Sequence, residues 1–185
     1  PRGKLLIRYV EALGILAERA SRGARSVPLA GGTDWYVEQH AARTPAPDAD
    51  LPLLVDVSRL PELLGITLAG GTLRIGAGTS YLALRRDPLV TARVPLLAAM
   101  AKDVGAFQIQ ARGTLAGNLA TASPAADGVC ALAALDAELT LASVRGTRTV
   151  ALRDFTPGYR RTVLSADELI VAIGIGALRG LGAAH

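Results

Sequence analysis

The stretch ARGTLAGNLATASPAADG, residues 111–128, constrains this chain more than any other. It carries three glycines, one asparagine and three hydroxyl side chains, and almost no charge. A surface linker would be more polar, and a core strand does not need so many small residues. Small side chains in this number bare the main chain, and a bared main chain lets another group lie against it. Two shorter stretches share the signature, LAGGTDW at 29–35 and IGAGTSY at 75–81. Each sits between an apolar run and a segment of helical spacing.

The flanking segments give an element order. Tyr9, Leu13, Leu16, Ala17 and Ala20 share one helical face, and Gly23 suits a helix C-terminus. SVPLA and LLVDV read as short buried strands, separated by the GGTD turn, the helix WYVEQHAAR and the Pro-rich loop TPAPDADLP. Helix–strand–helix–strand suits a small parallel unit with a right-handed crossover. From Leu60 the texture changes. GITLA and TLRIGA alternate around Gly70-Gly71, a hairpin signal. TSYLALRRD and Pro95 to Val104 read as helices, as does PAADGVCALAAL with a break at Gly128. AELTLAS and TVAL form a second hairpin with Gly146 in its turn, and ELIVAIGI is a last strand. The fold class is α+β, with a lobe boundary near Ser58: residues 1–58 form an N-terminal α/β lobe and residues 59–185 a second α+β lobe.

Composition narrows the chemistry. Half of the 185 residues are hydrophobic but aromatics are 4%, so the core is built from Ala, Leu and Val. The net charge of +4 comes from scattered arginines, whose only clusters are Arg85-Arg86 and Arg160-Arg161. Nucleic-acid binding needs a basic stripe with stacking aromatics, and no such stripe is present. Cys130 is the single cysteine, which fits a reducing, cytoplasmic setting and reads as a buried small hydrophobe. His40 and His185 have no evident metal partners, so neither a zinc site nor a Ser-His-Asp triad is supported. No apolar run of membrane-spanning length escapes charge, because Asp136 and Glu138 interrupt the longest.

The glycine stretches are therefore the candidate site. Gly31 and Gly32 allow close approach of a ligand to the backbone. Amides of the turn and of the next helix start can hold an anionic phosphate without a lysine. Thr33 or Asp34 can cap that helix, and an ordinary strand-to-helix turn would look the same. IGAGTSY lacks a third glycine where Tyr81 stands, so the dinucleotide fingerprint fails, and no Lys-Ser/Thr follows a glycine loop as nucleotide hydrolases require. In the long stretch, Thr114, Asn118 and amides exposed by Gly113 and Gly117 can hydrogen-bond a polar ligand. Ser123, Pro124 and Asp127 form a helix start. Asp127 either complements the helix dipole or accepts from ligand hydroxyls. With no convincing acid–base pair, the three loops together point to a scaffold for a large, partly anionic cofactor that carries its own chemistry, and no catalytic side chain is assigned.

LAGGTDW, IGAGTS, RGTLAGNLATASPAADG and RGTRTVALRDFTPGYRRTVLSADELIVAIGI, in this order and over nearly the whole chain, resemble the FAD-binding domain of molybdenum hydroxylases. That family includes xanthine dehydrogenase and the flavoprotein subunit of carbon monoxide dehydrogenase; FTPGYRRT looks closest to the former branch. The resemblance implies the two-lobed flavin fold shared with vanillyl-alcohol oxidase. It implies that Leu29, Ala30, Gly31, Gly32, Thr33, Asp34 and Trp35 wrap the FAD pyrophosphate. Thr114, Leu115, Ala116, Gly117 and Asn118 form the second phosphate-side loop. Asp127 binds FAD hydroxyls, and Ile170 packs near the flavin ring. It further implies a molybdenum-cofactor subunit and a [2Fe-2S] subunit as partners, with NAD as electron acceptor in the xanthine dehydrogenase-like case. Ala116 stands where the family usually has a second glycine; forced to positive φ, an alanine costs roughly 1 kcal/mol or more. The family continues past VAIGIGALRG into a segment that touches the flavin ring and a C-terminal domain. Two rivals are a stand-alone flavin oxidoreductase of the same fold and a non-catalytic remnant that scaffolds partners.

Overall fold

The computed structural model describes residues 7–41 and 51–176. Most of the Pro-rich loop, together with Arg43 and His185, lies outside the described residues. Helix α1 (Tyr9–Ser21) starts where the Glu11 carboxylate accepts from the Arg8 amide at 2.9 Å, and it ends at Gly23, whose φ is +65°. Strands β1 (Ser26–Leu29) and β2 (Leu53–Asp56) pair in parallel around helix α2 (Thr33–Ala41), as the helix–strand–helix–strand reading requires.

The second sheet has five strands, all antiparallel. Its members are β3 (Ile66–Ala69), β4 (Thr72–Gly76), β5 (Glu138–Ser143), β6 (Gly146–Ala151) and β7 (Leu169–Ile175), in the order β3-β4-β7-β5-β6. Both expected hairpins form. Gly70 and Gly71 take φ of +58° and +81° in the first turn, a region closed to most side chains. Strand β7 occupies the centre, which explains why its run LIVAIGI is apolar without alternation: both faces are covered.

Between the hairpins runs a chain of short helices. They are α3 (Tyr81–Arg86), α4 (Pro88–Arg93), α5 (Pro95–Asp103), α6 (Phe107–Arg112), α7 (Leu115–Thr121) and α8 (Asp127–Ala134), with α9 (Leu152–Phe155) after β6. The sequence reading contained α3, α5 and α8 but not α4, α6, α7 or α9. Helix α8 begins three residues later than Ser123-Pro124 suggests. Ser123 instead closes a turn, its Oγ accepting from the Ala125 amide at 3.3 Å, and Gly128 does not break the helix. Ala116 sits in the right-handed turn of α7, so the positive-φ cost anticipated for it does not arise; the strained alanine is Ala122, at φ +49° where α7 ends. Cys130 is exposed, not buried, because it lies on the outer side of α8.

A β-bulge lets one strand serve two cores. Thr140 pairs with Ala172, but Leu141 pairs with Ile170, so Val171 is left over in β7. The extra residue reverses which face each side chain takes. Ile173 and Ile175 join Leu73, Ile75, Leu139 and Leu141 under the helices, and so does Ile170. Leu169 and Val171 turn to the other face, where they pack with Ala142 against Ala12, Leu13 and Leu16 of α1 and against Val55 and Val57. Each buried Leu or Ile contributes about 1.5–3 kcal/mol of transfer free energy.

The approach to β7 is held by charge. Glu168 accepts two hydrogen bonds at 2.7 Å from the Arg148 guanidinium and one at 2.9 Å from the Ser165 amide; Asp167 pairs with Arg145. Arg148, against some opposition from burial, pulls the Glu168 carboxyl from its ordinary 4.5 down to about 2. The folded protein then refuses a proton that the unfolded chain accepts near pH 4.5. This contribution to stability is complete above pH 4.5 and drains away as pH falls towards 2. A series of melting temperatures across that window should slope less steeply for Glu168→Gln than for the wild type, and the variant should melt lower at pH 7.

Candidate functional site

The three glycine stretches meet. The link is closest at Gly31: a Cβ built there would stand 2.0 Å from the carbonyl oxygen of Arg112 and 2.9 Å from the Cα of Gly113. Only glycine permits two main chains to touch in this way. Gly32 follows at φ +72°, turning the chain from β1 into α2. The third stretch is bonded to the second: the Tyr81 amide donates to the Gly113 carbonyl at 3.0 Å, and Ser80 forms an isolated antiparallel bridge with Thr114. A fourth tie joins the two helices that leave the loops. Thr121 at the end of α7 donates its hydroxyl to the Asp34 carboxylate in the first turn of α2, at 3.0 Å.

Around this junction opens a cleft of about 630 Å³, within the range of pockets that enclose a large organic ligand. Leu29, Ala30, Gly31, Gly32, Thr33, Asp34 and Trp35 line one wall; Thr114, Ala116, Gly117 and Asn118 line the other, and Ile170 reaches it from β7. Two of the sequence-derived candidates stand elsewhere. The Leu115 side chain is buried in the core beneath the helices. Asp127 is the exposed first residue of α8, outside the cleft lining but close enough for its charge to act on Tyr81.

The polar groups have distinct duties. Thr114 caps α7, its Oγ1 accepting from the Gly117 amide at 3.0 Å. Asp34 does not cap α2 but reaches across to Thr121. Near the rim, Arg160 donates to Glu38 of α2 at 2.9 Å, from a turn in which Arg160 itself takes φ +48°. Tyr81, Val104, Glu38 and Arg160 line the cleft although the sequence reading left them out of the site. Nothing in their local spacing marks them; the topology brings them in. Among the described residues no group of three or more potential metal ligands occurs, and no helix is long and apolar enough to cross a membrane.

The fit of a nucleotide cofactor can be judged from these walls. At the Gly31 junction two main chains pack directly together, with no room for a Cβ between them. The first-turn amides of α2 have no acceptor within the helix, and Thr33, Asp34 and Trp35, which carry them, line the cleft. Two residues of the lining each carry a buried polar atom with no partner in the protein, the Tyr81 hydroxyl and Asn118 Oδ1. A ligand that presents phosphates and hydroxyls would find partners in such walls.

Such a frame, with glycine loops from distant segments closing on one cleft, defines a protein of the two-lobed FAD-binding fold. The chain belongs to the family described as the FAD-binding domain in molybdopterin dehydrogenase, which matches residues 8–177. It is 39% identical over 148 residues to the nicotinate dehydrogenase FAD-subunit of Eubacterium barkeri, a match covering 78% of this chain and 48% of that protein. It is 38% identical over 133 residues to the carbon monoxide dehydrogenase medium chain of Hydrogenophaga pseudoflava, covering 71% and 46%. The xanthine dehydrogenase FAD-binding subunit of Escherichia coli O157:H7 is 33% identical over 163 residues, covering 88% and 53%. Among solved structures, carbon monoxide dehydrogenase from Hydrogenophaga pseudoflava superposes with a TM-score of 0.82 at 33% identity, covering 92% of this chain and 57% of that one. Quinoline 2-oxidoreductase from Pseudomonas putida 86 gives 0.80 at 32% identity, covering 92% and 56%. The chain thus spans about half the length of the curated relatives it matches.

The junction itself can be tested. Gly31→Ala forces two stretches of backbone apart, and backbone cannot rotate away as a side chain can. It should destabilise the fold by at least about 2 kcal/mol, read as a fall in melting temperature of about 4–8 °C. Gly14→Ala, where an added Cβ meets nothing, is the control and should leave the melting temperature unchanged or raise it.

Proposed function

We propose that the cleft holds FAD and that the chain is the flavin-holding part of a molybdenum hydroxylase, with residues 1–58 and 59–185 as its two lobes. The observation that carries this reading is the contact of Gly31 with Arg112 and Gly113, which sets two glycine loops on a single cleft. In this reading Leu29 to Trp35 supply main-chain amides to the pyrophosphate, and no lysine is needed because the start of α2 already favours negative charge. Thr114 to Asn118 form the opposite wall, where Leu115 acts through its main chain. Asp127 takes cofactor hydroxyls at the α8 end, and Ile170, aimed by the bulge, lies beside the flavin ring.

Bound FAD supplies the redox chemistry. The chain's own residues orient it, exclude water from its buried side and tie the two lobes around it. In the assembled enzyme this subunit stands between a [2Fe-2S] partner, itself supplied with electrons by a molybdenum-cofactor subunit, and the final acceptor. That acceptor is NAD in a xanthine dehydrogenase-like enzyme. A single cysteine fits a reducing, cytoplasmic compartment.

Purified protein should carry a yellow chromophore or take up added FAD with a 1:1 end point by absorbance titration. A colourless protein that ignores FAD overturns the reading. Asn118→Leu, which removes an amide from the wall of the cleft, should weaken FAD binding about tenfold or more while leaving the far-UV circular dichroism intact.

A further inference from the structure

The cleft contains a polar group that neither the glycine loops nor the family resemblance accounts for. Tyr81 opens α3 directly after its Ser80 cap, and its side chain is 2% exposed. Its ring lies at the meeting point of the loops: a Cβ on Gly113 would be 3.4 Å from Tyr81 Cδ2 and 3.4 Å from Thr33 Oγ1. Phenylalanine would serve that packing equally well. The hydroxyl nevertheless is there, buried, on a residue that borders the cleft and without a hydrogen-bond partner in the protein. Buried polar groups are rarely left so. Buried Gln110, by contrast, donates to the Lys102 carbonyl at 2.8 Å and accepts from Arg85 at 2.6 Å. Only three orphaned side-chain atoms occur among the described residues, and two of them, Tyr81 Oη and Asn118 Oδ1, belong to this one cleft.

We propose that Tyr81 is a ligand-binding residue whose hydroxyl hydrogen-bonds a sugar-alcohol hydroxyl of the bound cofactor, in the ribityl chain or the ribose; the proposal rests on the FAD reading above. The surrounding chemistry selects a polyol over a phosphate. The orphaned Asn118 Oδ1 is an acceptor, and Asp34 on the same lining is another. Asp34 and Asp127 are the charges that act on the phenol. Burial first, and these two carboxylates after it, hold its pKa well above the ordinary value, so the group stays a protonated donor. At the phenol, the Asp127 carboxylate disfavours a phosphate. A carbon-borne hydroxyl can accept from Tyr81 and donate to Asn118 or a carboxylate, satisfying both sides at once.

The test is an FAD titration of the full chain, followed by quenching of Trp35, the only tryptophan and a residue of the lining. Tyr81→Phe should weaken FAD binding about tenfold. Because the hydroxyl has no partner in the ligand-free protein, the same substitution should leave the ligand-free melting temperature unchanged or raise it. A purely structural tyrosine would not show that split. Parallel titrations with FMN and with ADP assign the contact: a matching loss for FMN places it on the ribityl chain, and a matching loss for ADP on the ribose. Binding of FAD by Tyr81→Phe within twofold of the wild type, or a lower ligand-free melting temperature, overturns the proposal while the FAD reading stands. Failure of the wild type to bind FAD overturns that reading and this inference with it.

Discussion

Everything in the cleft depends on a contact between two main chains. Gly31 leaves the end of β1 and touches the carbonyl of Arg112 at the end of α6, so closely that a methyl group would stand 2.0 Å from that oxygen. Residues some 80 positions apart in sequence are thereby fixed side by side, with loop-closure entropy as the cost. The Thr121–Asp34 hydrogen bond and the hydrogen bond from the Tyr81 amide to the Gly113 carbonyl reinforce the same junction. Remove the contact and the walls belong to separate parts of the molecule; keep it and they form one site.

The floor of that site is set by a second constraint, the bulge in β7. A regular strand would place Ile170 and Ile173 on opposite faces. The unpaired Val171 puts both on the helix face and sends Leu169 and Val171 to meet α1. One strand thus joins the N-terminal helix to the five-stranded sheet and also delivers an apolar side chain to the cleft. The ion pairs of Glu168 and Asp167 just before it keep the approach to that strand in place.

Local signals of period and turn chemistry were legible in the sequence. Both hairpins, the parallel β1–β2 unit, the central apolar strand and helices α1, α3, α5 and α8 follow from spacing and from glycine placement. So does the prominence of the two glycine loops. Helices α6 and α7 escaped notice because six or seven residues give too few turns for an apolar stripe to show, and because RGTLAGNLA uses its glycines for packing rather than for bends. The same misreading set Ser123 as a cap when it closes a turn, and gave Ala116 a strain that belongs to Ala122. The apolar run GVCALAAL suggests a core position for Cys130, but the run says nothing about which side of α8 the thiol occupies. Tyr81, Val104, Glu38 and Arg160 could not be found at all from local pattern, since only the fold carries them to the cleft.

Unmet polar capacity along the cleft fits a site completed by its ligand, while strain is not confined to it: Asp136, beyond α8, also holds a positive φ. Arg160 holds a left-handed conformation at the rim, kept there by Glu38, and Ala122 does so where α7 leaves the wall. Each such residue costs about 1–2 kcal/mol against an ordinary conformation. The two orphaned polar atoms of the lining add a further desolvation cost in the ligand-free protein. A ligand that bridges the loops and meets those atoms would return that free energy as affinity, and its binding would stabilise the fold through the same contacts. Cofactor affinity and the stability of the junction are therefore linked, and Gly31, which lines the cleft and also forms the junction, bears on both.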